Sequence, residues 1–362
     1  MKINIKNSML ERYIEQKELN ILVANIYNSY LEEYKNALTE TVVANCSETS
    51  NPIYYALLET LEIDPEDYEF ERLAKNYKIN QIVELNEKDY LNDPFFMNVN
   101  FKDLKNKKYV FNEIVYNPYE LFLYDEVDIH QKDFYKETNK FGYFKSRVKS
   151  FELEINGSNK FTISPYKINT SKADLDKISG NILILGLGLG YFSYLSSLKN
   201  NVTSITVVEI NTDLIELFNK EILPQLNTNK IKIINSDPYE YLSKHIEDFD
   251  FIYCDLYLDA DNGLFTYIKL KHFESSFKHS KFIYWVETSI LALLRRYVLI
   301  VFEEYINGYK EIDYKVAKNK YDKLINEIYL NLKNTVINNR EALEKSLSNL
   351  SLAELASKIE IN

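Results

Sequence analysis

Three glycines within five residues, Gly186, Gly188 and Gly190, follow the apolar run ILIL (182–185) and precede a helical pattern. A strand-to-helix turn of this kind brings backbone N–H groups close to a nucleotide-like ligand. Glu209 ends the next apolar run about 20 residues on, where an acid can accept hydrogen bonds from both hydroxyls of a ribose. Asp255 closes a later run, FDFIYCD, as the candidate general base for an amine or hydroxyl nucleophile, with Asp259 and Asp261 next in line. Tyr253 and Tyr257 flank it and share its face by strand alternation, so an aromatic surface there would attract a cationic group by about 0.5–2 kcal/mol. Each feature also has a plainer reading: a tight turn, a surface glutamate, tyrosines packed on a neighbouring helix.

The spacing of the glycines narrows the ligand. A dinucleotide fingerprint GxGxxG would place its third glycine at 191, where this chain has Tyr191, and no P-loop lysine follows. The GxGxG spacing counts against NAD and ATP and suits an adenosine ligand without a pyrophosphate, such as S-adenosylmethionine. Methyl transfer from that sulfonium is mainly a positioning problem, so no histidine or cysteine catalyst is required.

In order, GNILILGLGLGYFSYL, VTSITVVEIN, KIKIINSDPYEYL and FDFIYCD resemble the motifs of the class I S-adenosylmethionine-dependent methyltransferase fold, in particular its spermidine synthase-like branch. The match covers roughly residues 180–287. The resemblance implies that Gly186, Leu187, Gly188 and Gly190 line the methionine and ribose side of the cofactor. It also implies that Glu209, with Ile210 beside it, holds the ribose, and that Asp237, between Ser236 and Pro238, accepts the adenine amino group. Asp237 would equally cap the helix that Pro238 opens. Asp255 falls where polyamine synthases keep the acid that takes a proton from the attacking amine; the residues themselves, apart from the resemblance, add Tyr257 and Asp259 to the expected catalytic set. The stretch FGYFKSRVKSFELEINGSNKFTIS is similar to the hairpin region preceding the catalytic domain of polyamine synthases. Two departures weigh against aminopropyl transfer: Leu189 stands where the family usually carries an aspartate, and LYLD (256–259) replaces a segment close to Ser-Ser-Asp-Pro.

These residues need a frame. ILIL (182–185), SITVVE (204–209), KIKII (230–234), FDFIYCD (249–255) and KFIYWVE (281–287) are the expected strands. Helices are expected at 191–199, 212–221, 238–246, 264–278 and about 288–307. Right-handed crossovers between them give a Rossmann-like, doubly wound parallel sheet in an α/β chain. The long helix, with LLRRYVLIVFEEY, is expected to cover the sheet, and Trp285 and Glu287 to lie on its ligand side, Glu287 as a contact for a cationic substrate. Residues 1–80 read as helical, with long helices between Leu10 and Ala44 and a helix start at Asp64-Pro65-Glu66. Residues 81–179 read as mainly β, with strands at 109–115, 119–127 and 145–155 and a hairpin turn at Asn156-Gly157. Residues 180–308 form the Rossmann-like unit and 309–362 a helical extension, with Ser351 and Glu354 spaced as a capping box. The antiparallel sixth and seventh strands common in methyltransferases are missing from the pattern.

Composition excludes several classes. The chain has 362 residues, 46% hydrophobic and 14% aromatic, enough for a large core, with only Gly 8 and Pro 7. A formal charge of −11 disfavours general nucleic-acid binding. Cys46 and Cys254 form no zinc or disulfide pattern, and Cys254 reads as a buried small apolar residue. His130, His245, His272 and His279 are scattered, so no metal site is expected. The polar N-terminus and the arginines inside 289–302 indicate no signal peptide and no membrane span, hence a cytoplasmic protein. The expected function is a methyltransferase acting on a small molecule or peptide, with a cationic acceptor and a homo-oligomer left open. The alternatives are aminopropyl transfer and a non-catalytic nucleoside-binding or interaction module.

Overall fold

The computed structural model describes residues 1–101, 109–155, 157, 159–244, 249–308 and 319–360, with the backbone alone at 159 and 160. A short strand β1 (Lys2–Ile3) leads into helix α1 (Asn7–Ser29), which ends in one π-helical turn at Tyr30–Tyr34. The buried positions of α1, Leu10, Tyr13, Lys17, Asn20, Val23 and Tyr27, recur every three or four residues and so line one face. The polar members of that stripe are partnered: Lys17 with Glu303 at 2.7 Å, and Asn20 with the Tyr77 hydroxyl and the Tyr135 carbonyl. Helices α2 (Glu40–Asn45), α3 (Pro52–Thr60) and α4 (Tyr68–Tyr77) follow. The last starts later than expected, because Asp67 rather than Asp64 caps it, accepting from the N–H groups of Glu69 and Phe70. Asp64 closes a tight turn onto the N–H of Glu66 instead.

Next come β2 (Val83–Glu84), α5 (Lys88–Leu91), α6 (Pro94–Asn98), β3 (Tyr109–Tyr116), β4 (Phe122–Leu123), β5 (Asp128–His130), β6 (Lys136–Thr138), β7 (Phe141–Tyr143), β8 (Val148–Ile155) and β9 (Asn159–Thr162). β3, β8 and β9 make an antiparallel ladder running from Tyr116 against Val148 to Tyr109 against Ile155. The strand expected over 119–127 shrinks to β4, because Tyr119 turns the chain at φ +67°. The hairpin between β8 and β9 turns at Gly157, φ +73°; Asn156 of the expected turn pair lies outside the described residues. Helix α7 (Pro165–Leu175), which the sequence pattern did not suggest, then leads into the main sheet; Ser164 caps it and Pro165 sits in its first turn.

That sheet is parallel throughout, with β10 (Gly180–Leu185), β11 (Val202–Glu209), β12 (Ile231–Asn235), β13 (Phe251–Cys254) and β14 (Lys281–Tyr284) in the spatial order third, second, first, fourth, fifth. This is the doubly wound, Rossmann-like order, and it reverses direction between β10 and β13. The crossover helices are α8 (Tyr191–Ser197), α9 (Thr212–Leu217), α10 (Pro238–Lys244) and α11 (Ala260–Lys271), and α12 (Glu287–Ile306) follows β14. α9 ends in a π turn at Phe218–Ile222, and α11 begins four residues before its expected start because Asp259 caps it. Residues 245 and 246 of the expected third crossover helix lie outside the described residues. Cys254 is fully buried, as expected of a small apolar residue inside the central sheet.

The chain ends in α13 (Lys320–Leu332), β15 (Val336–Ile337), α14 (Arg340–Ser346) and α15 (Asn349–Ala356). β15 pairs in parallel with β1, so the two ends of the described chain are clasped together. Ser348 caps α15, whereas Ser351 and Glu354, the expected capping box, lie within it; Glu354 pairs with Lys358. α12 was expected to cover the sheet. It packs against α11, α13, α1 and α15, and its buried residues share one apolar core with the sheet. One apolar core runs from Leu10 to Ile359, joining the β region, the main sheet and the C-terminal helices, and a second fills the space between α1 and α2–α4. No described helix is long and apolar enough to cross a membrane.

Candidate functional site

A cavity of about 460 Å³ opens at the carboxyl ends of β10, β11 and β13, where the strand order reverses. Crevices at this switch point are where doubly wound sheets bind ligands. The glycine loop forms one wall. Its backbone explains the residue choice at two positions: Gly186 (φ +94°) lies so close to the Asp255 carbonyl, and Gly190 (φ +81°) to the Phe218 ring, that a Cβ would run into them. Gly188 (φ +53°) differs, since a Cβ there would meet nothing within 4 Å. It faces open space.

Glu209, 8% exposed, is held against this loop. Its Oε2 accepts the Leu187 N–H at 2.9 Å and its Oε1 accepts the Asn211 N–H at 2.7 Å. Glu209 is also one of the residues lining the cavity, and a carboxylate oxygen can accept more than one hydrogen bond. Ile210, 59% exposed, sits at the rim beside it.

On the opposite wall, Asp255 follows β13. Both its carboxylate oxygens accept from the Lys167 ammonium of α7, at 2.5 and 2.6 Å. That ammonium also lies 3.4 Å from the centre of the Trp285 ring. The indole is fixed in turn: its Nε1–H donates to Thr170 Oγ1 at 2.8 Å, Tyr166 meets it edge-on, and Tyr257 stacks beside it while donating its hydroxyl to the Trp285 carbonyl. Burial pushes the Lys167 ammonium below the usual lysine range, against the pull of Asp255, and pushes the Tyr257 phenol far up, so Tyr257 is a neutral donor.

The remaining candidates fall elsewhere. Asp237 caps α10, accepting from the N–H groups of Tyr239 and Glu240, and with Ser236 and Pro238 it stands beyond β12, outside the cavity lining. Asp259 caps α11 through the Asn262 N–H and does not line the cavity. Tyr253 is fully buried and stacks on Phe192 at 3.6 Å, so its ring packs in the core rather than facing a ligand. Glu287 accepts from the Tyr267 hydroxyl at 2.8 Å, also away from the cavity. Leu189, at the family's aspartate position, is buried in the cavity wall. His272 donates its Nε2–H to the Ile359 carbonyl at 2.8 Å, His130 pairs with Thr138, and His245 lies outside the described residues. Among the described residues no group of three metal-ligating side chains occurs.

Sequence reasoning missed Lys167. The Ser-Pro helix start at 164–165 was the available signal for α7, and no local pattern pairs a residue of that helix with Asp255. A larger, more open cleft of about 720 Å³ lies next door, lined by Asp93, Asp125, Asn169 and Lys172 among others. Tyr191 separates the two, donating its hydroxyl to the buried Asp93 at 2.8 Å.

No family model and no curated protein matches this chain. Among solved structures it is similar to a spermidine synthase from Thermotoga maritima, at 17% identity and a TM-score of 0.28, over 41% of this chain and 58% of that one. It is also similar to a spermidine synthase in complex with the transition-state analogue AdoDATO, at 16% identity and a TM-score of 0.30, over 51% of this chain and 70% of that one. A third, a conserved hypothetical protein from Streptococcus pyogenes, aligns at 12% identity and a TM-score of 0.24, over 29% of this chain and 67% of that one. The likeness to these structures is weak, and the chain spans less than two thirds of the length of the first.

Proposed function

We propose that the chain is an S-adenosylmethionine-dependent transferase, a methyltransferase first of all, acting on a small molecule or peptide. The observation that carries this reading is the fixed Glu209 carboxylate beside a GxGxG loop at the switch point, with Gly188 left facing open space. A cavity of about 460 Å³ lies within the range of small-ligand sites, and Tyr191 in place of a third glycine disfavours a dinucleotide. When bound, S-adenosylmethionine supplies an activated sulfonium methyl. The residues then have positioning work: Gly186, Leu187, Gly188 and Gly190 would support the ligand, Glu209 would accept from ribose hydroxyls, and Trp285 and Tyr257 would close the wall. Asp255 would take a proton from an acceptor nucleophile only where Lys167 yields one of the two oxygens it now holds. Ser236, Asp237 and Pro238 would contact the base only at the outer edge of the site.

Aminopropyl transfer is the second reading, and Asp255 at the end of β13 is the observation in its favour. Leu189 and the Lys167 ammonium already seated on Asp255 count against it. Thermal unfolding with S-adenosylmethionine, its decarboxylated form, methylthioadenosine and NAD tests the ligand, and a shift with the decarboxylated compound alone favours aminopropyl transfer. A ligand at a hundred times its dissociation constant stabilises the fold by about 2.7 kcal/mol. No shift with any sulfonium or thioether nucleoside overturns the proposal.

A further inference from the structure

We infer that Lys167 makes this site selective for the amino-acid arm of its ligand: it takes a sulfonium or thioether nucleoside bearing a carboxylate and discriminates against the decarboxylated counterpart. The inference rests on the nucleoside reading above and deepens it.

Among the described residues lining the cavity, Lys167 is the one cation, facing two carboxylates, Glu209 and Asp255. A lysine ammonium has three N–H donors. Two reach the oxygens of Asp255, and no third acceptor is in place among the described residues. The head group cannot swing away cheaply. It would abandon both Asp255 oxygens and the face of Trp285, whose ring Thr170 and Tyr257 hold still.

The consequence for a ligand is directional. Asp255 and the Trp285 face are the two features of this wall that would attract a ligand cation, one by charge and the other by its ring quadrupole. Lys167 fills both. A decarboxylated arm, carrying an ammonium with no carboxylate, therefore gains nothing from them and meets a like charge. An arm with a carboxylate finds a donor whose side chain is only 16% exposed, and charge-assisted hydrogen bonds are strongest where water is scarce. Burial that lowers the lysine's proton affinity acts in the same sense, since an ammonium short of solvation gains from a second anion.

Isothermal titration of the full chain near neutral pH with S-adenosylhomocysteine, its decarboxylated analogue and methylthioadenosine tests this without turnover. The wild type should bind the carboxylate-bearing compound at least about tenfold more tightly than either of the others, the size expected of one hydrogen bond to a charged group. Lys167→Arg should keep the preference and Lys167→Met should abolish it. Because Lys167→Met strands the Asp255 charge and can prevent folding, the double variant Lys167→Met, Asp255→Asn removes both charges and should bind all three compounds alike. Equal binding by the wild type, a preference surviving in the double variant, or a uniform weakening with unchanged ratios each overturns the role of Lys167 while leaving the nucleoside reading intact. If the wild type binds none of the three, the nucleoside reading itself falls.

Discussion

The Glu209 carboxylate and the Leu187 backbone N–H are joined at 2.9 Å, so the acid ending the second strand of the sheet is tied to the loop leaving the first. The other oxygen takes the Asn211 N–H, in the turn that opens α9. The acid thus does two jobs with one group. It satisfies two backbone donors that would otherwise be stranded near the cavity, and it is held in place before any ligand arrives.

Replacing Glu209 by Gln should separate neither job from the other. An amide offers one oxygen, so its NH2 group must face one of the two backbone donors, and hydrogen bonds to charged groups contribute about 1.5–3 kcal/mol. Urea unfolding should show a loss of about that size, and nucleoside affinity by titration should fall at least about tenfold. Unchanged affinity in a folded Glu209→Gln protein would remove Glu209 from the ligand site.

Two neighbouring glycines should respond differently to alanine. Gly190 combines φ +81° with the Phe218 ring against its Cα, so Gly190→Ala incurs the left-handed cost of about 1–2 kcal/mol plus the displacement of a buried ring. Gly188 incurs only the first cost, because its surroundings are empty. Gly188→Ala should therefore fold, with a melting temperature a few degrees lower, and lose ligand affinity as its methyl enters the space a ligand needs. The reverse ranking in stability would contradict the loop geometry.

The glycine loop, Glu209 and the alternation of strands with crossover helices were legible in the sequence because each depends on local spacing: glycines just past an apolar run, an acid at the end of the next. Lys167 was not, because its partner Asp255 lies 88 residues away and nothing within α7 distinguishes it from other helical lysines. Helix boundaries failed for a related reason. Asp64 and Asp67 are equally good caps by type, and so are Ser348 and Ser351. The structure selects Asp67 and Ser348 by where the following turn can pack: burying Ala74 and Tyr77 in the first helix, and Leu352, Leu355 and Ala356 in the second.

Asp259 is the candidate catalytic acid that the fold employs otherwise. Its carboxylate accepts the Asn262 N–H at 2.8 Å and caps α11. Asp259→Ala should lower stability by about 1 kcal/mol, and Asp259→Asn, an equally good cap, should restore it. Nucleoside titration should give the same affinity for both variants. An acid–base role would instead make Asn as damaging as Ala in single-turnover methyl transfer.

Glu287 should make stability depend on pH. Burial raises its carboxyl above the usual glutamate range, with the Tyr267 hydroxyl and Lys271 opposing the shift. Between the two values the native state keeps a proton that the unfolded chain has released, so this group's contribution is complete below the unfolded value and is lost as pH rises through the native one. Glu287→Gln should flatten the fall in stability from about pH 4.5 upward. Glu126 and Asp174, raised by burial in the same direction, keep part of the slope. Denaturant midpoints at a series of pH values read this directly; parallel curves for the two proteins would mean that Glu287 does not titrate differently on folding.

Arg295 pins the C-terminal helices to the rest of the chain. From the middle of α12, 1% exposed, it donates Nε–H to the Leu347 carbonyl at 2.8 Å and Nη2–H to Asn349 Oδ1 at 2.6 Å, with its guanidinium 4.4 Å from the centre of the Tyr135 ring. Leu347 and Asn349 straddle Ser348, the cap of α15, so one planar fork fixes the corner between α14 and α15. Lysine keeps the charge but, as a point donor on a flexible stem, cannot hold both acceptors and the ring at once. Arg295→Lys should therefore leave a buried acceptor unmet and lower stability by about 1–3 kcal/mol. The loss should be localised: amide exchange in residues 340–356 should accelerate, while the amides of β10 and β13 keep their protection. Exchange that quickens equally in the sheet and in those helices would show that the corner does not open on its own, and unchanged exchange would show that the fork is dispensable.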